Sequence, residues 1–263
     1  MTSLSNNKFR SDLIWNYISL LILAISGISL NVLIGFFYEA SVLGVFNQVI
    51  TTYVIFSMIS SGGIQDSVLQ AISSVSHHED EMRKITAGAF FPVILISLLT
   101  TILYVYLIGP ISYLLNSRSV AEGMRGVVPA LFIFPLNKVL LSGVIKGLQK
   151  MKLYAVLQSA RYLLILIAII LAIYLSIDGN KLTYAFSISE IILFFILIII
   201  VSGEVNWWNA VEITGWSKRH TSFGFKSLAG GVLVELNTRV DIVMIGIFLS
   251  DKEVGIYSFG ALF

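Results

Sequence analysis

The chain has 263 residues, of which 57% are apolar and only 12% charged, and its mean hydropathy is +0.89. Soluble domains carry about 25% charged residues, so this composition excludes a water-soluble globular protein and defines an integral membrane protein. The net charge of +2 matters less than its distribution; no nucleic-acid partner is expected, and the lack of cysteine excludes disulfides and thiolate metal sites.

Crossing about 30 Å of hydrocarbon takes about 20 apolar residues at 1.5 Å each. Stretches of that length are predicted at Leu13–Phe37, Val45–Ile72, Ile85–Ile108, Val127–Ile145, Leu153–Ile177, Thr183–Ser202 and Ser227–Leu249, and a further one starts near Val254. The first is far longer than the about 7–15 apolar residues of a signal peptide. All are too long and too aliphatic for barrel strands of about 10 alternating residues. The expected fold class is therefore all-α, a polytopic membrane helix bundle.

Lys and Arg are distributed unevenly between the two sides. The N-terminus and every second loop hold Lys8, Arg10, Arg83, Lys84, Lys146, Lys150, Lys152, Lys218, Arg219 and Lys226, against Arg118, Arg125, Lys181 and Lys252 on the other side. The positive-inside rule then places the N-terminus in the cytoplasm. The longest connection, Gly203 to Lys226, brings Trp207, Trp208 and Trp216 beside Lys218, Arg219 and His220, a composition that suits either a segment at the headgroup level or an ordinary polar loop.

An internal repeat accompanies this topology. Leu30 to Asn47 and Asp241 to Ser258 align so that Val32 meets Val243, Ile34 Ile245, Gly35 Gly246, Phe37 Phe248 and Gly44 Gly255, an offset of 211 residues. The expected organisation is a six-helix bundle over residues 1–203, a cytoplasmic interfacial linker over 204–226, and over 227–263 the start of a second bundle, cut off as it begins.

Ionisable side chains inside spans cost about 2.5–3.5 kcal/mol each on insertion scales, so they face a bundle interior or a wet cavity. Here they are Asp66, Lys138, Arg161, Glu190, Glu235, Arg239 and Asp241. Glu235 and Arg239 stand four apart and are expected to pair, with Asp241 on another face beside Asn237 and Thr238. Arg239, Arg161 and Lys138 are the candidate substrate-binding cations; Asp241, Glu235 and Glu190 are candidates for ion coupling or charge balance, and a packing role stays open for each. Asp66, just after Gly62 and Gly63, is expected to cap a local break. His77 to Lys84, HHEDEMRK, has the wrong spacing for zinc or calcium and is expected to be a solvated loop. No phosphate-binding loop, HExxH or nucleophile elbow occurs; no catalytic residue, metal or cofactor is expected, and the chain is not read as an enzyme.

Four stretches carry a family resemblance: GFFYEASVLGVFNQV after the first span, SSGGIQDSVLQAIS at the end of the second, LSGVIKGLQKMKLYAVLQSARYLL joining the fourth and fifth, and TRVDIVMIGIFLSDKEVGIYSFGALF at the end. They resemble the Wzx-type polysaccharide flippases, exporters of O-antigen and exopolysaccharide units in the MATE-like superfamily. That resemblance implies two six-helix bundles around a central cavity in the inner membrane of a prokaryote. Alternating access would move a polyprenyl-pyrophosphate-linked oligosaccharide, with membrane lipids and other polysaccharide-assembly membrane proteins as partners. The TRVD pattern at Thr238–Asp241 matches the family. Members often place a basic residue before the turn after the first span, where this chain has Ile34 and Gly35. A MATE-like multidrug or small-cation exporter, a membrane polymerase or ligase and a membrane scaffold are the alternatives; the enzyme reading lacks the large external loop it would need.

Overall fold

The computed structural model describes residues 2–75, 78–205, 207 and 213–262, and every regular element among them is helical. In chain order these are α1 (Thr2–Phe37), α2 (Ala40–Ser61), α3 (Ile64–Ser74), α4 (Glu79–Leu114), α5 (Arg118–Gly126), α6 (Val128–Lys138), α7 (Met151–Tyr174), α8 (Tyr184–Glu204), α9 (Thr214–Phe248) and α10 (Asp251–Gly260). A π-helical turn, Val139–Ile145, continues α6, and a 3-10 turn, Gly179–Lys181, leads into α8.

Six described segments are long and apolar enough to cross a membrane: Arg10–Phe37, Ala40–Ser61, Glu79–Leu114, Val128–Ile145, Met151–Tyr174 and Gly179–Glu204. The protein is a multi-pass membrane bundle. The seventh predicted span is helical as the second part of α9, but Glu235, Arg239 and Asp241 lower its apolar character and it is not one of the six. The segment from Thr214 to Lys226, predicted as linker, is continuous with it, giving one helix of 35 residues, about 52 Å long. Glu79–Lys84 is likewise no loop. It forms the first turns of α4, where Arg83 pairs with Glu79 at 3.4 Å and Asp80 at 3.3 Å, and its acids suit the helix N-terminus. His77 and Trp208 lie outside the described residues.

The second predicted span is interrupted. Gly62 and Gly63 take φ of 54° and 66°, ending α2 at Ser61 and starting α3; only glycine adopts two such angles in succession without strain. Gly224 of α9 sits directly on this break. A Cβ there would come within 2.1 Å of the Gly62 carbonyl oxygen, and one on Gly63 within 2.6 Å of that of Gly224.

Prolines inside helices leave carbonyls without their usual donors, and at Pro92 and Pro135 a hydroxyl from a neighbouring helix takes the donor's place. Pro92 in α4 frees the Gly88 carbonyl, which accepts from Ser217 Oγ of α9 at 2.7 Å. Pro135 in α6 frees that of Leu131, which accepts from Ser60 Oγ of α2 at 3.3 Å.

The turns on the side poor in Lys and Arg are tied to one another. The Tyr38 hydroxyl donates to the Ile177 carbonyl at 2.8 Å, Asn180 Nδ2 to Glu122 at 3.0 Å, and Asp251 at the start of α10 accepts from Gln48 Nε2 at 2.8 Å and Ser117 Oγ at 2.7 Å. Here the 211-residue offset takes physical form. α1 ends at Phe37 and α2 starts at Ala40; α9 ends at Phe248 and α10 starts at Asp251. The residues between, Glu39 and Ser250, are both extended helix caps.

Candidate functional site

Among the ionisable residues of the spans, Lys138, Arg161 and Glu190 lie where α6, α7 and α8 pack together, while Glu235 and Arg239 are carried by α9, which packs on α2, α3 and α4. α8 contributes Glu190, whose side chain is 1% exposed; α7 contributes Arg161, 12% exposed, with Nε 2.8 Å from Glu190 Oε1. The Nε–H bond is not aimed at that oxygen and Nη2 reaches Oε2 at 3.5 Å, so the contact is mainly Coulombic. Asn137, on the last turn of α6, completes the arrangement by donating Nδ2 to both the Glu190 carboxylate (2.6 Å) and its backbone carbonyl (2.9 Å). Taking such charges out of water is offset only when they are paired and hydrogen-bonded; Glu190 meets both conditions, whereas Arg161 Nε is paired but has no hydrogen-bond partner among the described residues.

Next to Asn137 comes Lys138, at the junction of α6 with the π-helical turn. Such turns insert an extra residue into a helix and recur at functional sites. Lys138 is half-buried, its Nζ lies 3.5 Å from Met58 Sδ and 5.7 Å from the centre of the Phe134 ring, and the Arg161 guanidinium stands 5.0 Å from that same ring. One aromatic ring thus carries two cations. Among the described residues no carboxylate is within ion-pair distance of Lys138, whereas Arg161 and Arg239 each have one.

Arg239 Nε donates to Glu235 at 2.6 Å, the pairing expected from their spacing, and both are half-buried on α9. This pair belongs to the same electrostatic neighbourhood: Lys138 is within Coulombic range of Arg161, Asp66 and Glu235, and Tyr162 within range of Arg161, Glu190 and Arg239. Asp66 stands in the first turn of α3, beside the glycine break, and accepts from Gln65 Nε2 and Ser227 Oγ at 3.1 Å each. Asp241 stands apart from the group, accepting a hydrogen bond from the Tyr257 hydroxyl of α10.

Two members were not anticipated. Phe134, the shared platform, is one aromatic among 17 phenylalanines in the sequence. Tyr53 of α2 packs edge-on against Phe134, and its buried hydroxyl has no hydrogen-bond partner among the described residues. Neither carries a charge or spacing that sets it apart in an apolar run.

An all-α bundle with six candidate spans and charges collected on inner faces defines a polytopic membrane protein. A solved structure of the MATE multidrug transporter DinF-BH, in complex with a ligand, has the same fold, with a TM-score of 0.73 and 14% identity over 97% of this chain and 60% of its own. A solved chain bearing the name protein A matches with a TM-score of 0.75 and 15% identity over the same shares. This chain therefore spans about three fifths of the length of each. No curated protein matches it by sequence. Residues 9–262 match the family model described as polysaccharide biosynthesis protein, and the chain belongs to that family.

Proposed function

We propose that this chain serves in a membrane flippase that moves lipid-linked oligosaccharide across the cytoplasmic membrane during polysaccharide biosynthesis, with its N-terminus in the cytoplasm. The observation that carries this reading is Lys138: a half-buried cation without a carboxylate in ion-pair distance among the described residues, beside Arg161 on one aromatic ring. A pyrophosphate cannot enter hydrocarbon unaccompanied, while a polyprenyl tail can remain there. The protein need only offer a hydrated cationic wall. Lys138 makes the first contact, and Arg161 and Arg239, whose planar forks bind two oxygens at once, are released to substrate as Glu190 and Glu235 exchange partners. Asp241 balances charge on α9. Family membership supports the polysaccharide assignment. A six-helix transmembrane bundle over residues 1–203, an interfacial linker over 204–226 and the start of a second bundle over 227–263 complete the reading.

In cells carrying chromosomal Lys138→Ala, surface polysaccharide is expected to fall on the order of tenfold, the loss of one charge-assisted contact, with unchanged protein abundance and recovery in Lys138→Arg. Wild-type polysaccharide in both Lys138→Ala and Arg239→Ala cells would remove the role. A drug-exporter reading rests on the likeness to a multidrug transporter and on the aromatic pair Tyr53 and Phe134; it predicts unchanged polysaccharide and altered resistance to cationic dyes in the same strains.

A further inference from the structure

α4 and α9 touch where Gly88 meets Ser217 and border beside that contact an open cleft of about 850 Å³. Its α4 wall is Phe91, Leu95 and Leu99, which recur one turn apart and are 67%, 46% and 59% exposed. In a membrane-embedded bundle an apolar face of this kind suits acyl chains rather than water. The α9 wall is different. It presents Thr214, Lys218 and Ser222, four apart and exposed, followed by Phe225; residues at this spacing share one face of a helix. One cleft therefore has hydroxyls and a cation at the end nearest the start of α9 and hydrocarbon at the other. Lys218 has no ion pair among the described residues, and the neighbouring Arg219 guanidinium is held over the Trp216 ring at 4.8 Å. The gradient from charged to apolar along one wall matches a single amphiphile with an anionic head.

We propose that this cleft binds one anionic phospholipid of the leaflet on the Lys- and Arg-rich side, its phosphate at Lys218 with Thr214 and Ser222 as hydroxyl donors, and its acyl chains along Leu95, Leu99 and Phe225. The site is separate from the cluster around Lys138 and Arg161 and independent of the transported substrate. Its occupant wedges α9 against α4, so the lipid is a structural ligand of the helix that carries Glu235 and Arg239.

The test is native mass spectrometry of the purified full chain, titrated with phosphatidylglycerol or phosphatidylcholine. Wild type is expected to retain one phosphatidylglycerol in preference to phosphatidylcholine. Lys218→Glu should lower that retention about tenfold, as reversal of one cation near an anionic headgroup implies. Ser222→Trp, which fills the cleft, should abolish it, while Lys152→Glu, the same charge change on α7, should leave it intact. Thermal unfolding of each variant verifies that it is folded. Equal retention of the two lipids by wild type, or equal retention of phosphatidylglycerol by the Lys218→Glu and Lys152→Glu variants, overturns the proposal. Displacement of phosphatidylglycerol by equimolar polyprenyl phosphate also overturns it, and assigns the cleft to the lipid-linked substrate.

Discussion

Gly44 and Gly255, related by the 211-residue offset, face each other across the crossing of α2 and α10. A Cβ on Gly44 would come within 1.7 Å of the Asp251 carbonyl oxygen, and one on Gly255 within 1.9 Å of the Ala40 carbonyl oxygen. Asp251 and Ala40 are themselves 211 apart, so each contact is the image of the other. A second pair obeys the same rule: a Cβ on Gly246 would meet Gln48 and one on Gly35 would meet Phe259. The repeat seen in the sequence is thus a self-complementary interface, the kind that a two-fold axis produces between identical surfaces.

From that symmetry follows a stability test. Gly44→Ala or Gly255→Ala sets a methyl against opposing backbone and forces the helices apart, at a cost of about 1–3 kcal/mol. Once they are apart the second substitution meets little resistance, so the double variant should cost clearly less than the sum. Thermal unfolding in detergent measures this, and strictly additive losses would disprove direct contact.

The buried pair of Arg161 and Glu190 makes a second prediction. Glu190→Gln leaves the guanidinium without its counter-charge and should destabilise by about 3–5 kcal/mol. Adding Arg161→Met removes the stranded charge and should restore much of the loss. A double variant as unstable as Glu190→Gln alone would mean that the pair is not what holds α7 to α8.

Ser217 and Pro92 form a third test. Ser217→Ala withdraws the donor from the Gly88 carbonyl, which Pro92 has already deprived of its helical partner, at about 1–3 kcal/mol. Pro92→Ala supplies an amide in its place, so the serine substitution should cost far less in that background. An equal cost in both backgrounds would show that the hydroxyl acts elsewhere.

His220 gives a pH dependence. Its ring is fully buried, Nδ1 2.8 Å from Ser67 Oγ and Nε2 3.1 Å from the Ile85 carbonyl. The carbonyl only accepts, so Nε2 carries the hydrogen and Nδ1 accepts from the serine. Burial lowers the pKa from 6.5 to about 4; the hydrogen bond to Ile85 opposes that shift and Arg219 adds to it. The unfolded chain takes up the proton first, so stability is complete above pH 6.5 and falls as pH drops towards 4, by about 3 kcal/mol in all. Melting temperatures of wild type and His220→Gln across this window should converge at the acid end, and parallel curves would refute the assignment.

How far the sequence anticipates the molecule depends on how local each feature is. The spans are legible because apolar length is a property of one segment, and the break at Gly62–Gly63 is signalled by the glycine pair. Glu235 and Arg239 are found together because one helical turn separates them. The approach of Arg161 to Glu190 joins residues 29 apart in the chain and depends on how α7 packs on α8, which no spacing reports. Likewise, the tryptophan-rich segment gives no sign that its second half continues α9, because Ser217, His220 and Gly224 find their partners on α3, α4 and the turn before α3.

At Gly62, Gly63 and Gly224 the closest approach of the crossing chain segments is between main-chain atoms. Beside it, the Ser227–Asp66 hydrogen bond is the side-chain contribution, and the approach itself depends on the missing Cβ atoms. The approach requires that three positions stay bare, whatever side chains surround them. A backbone constraint of this kind leaves little trace in overall identity, which is 15% against a solved chain of the same fold.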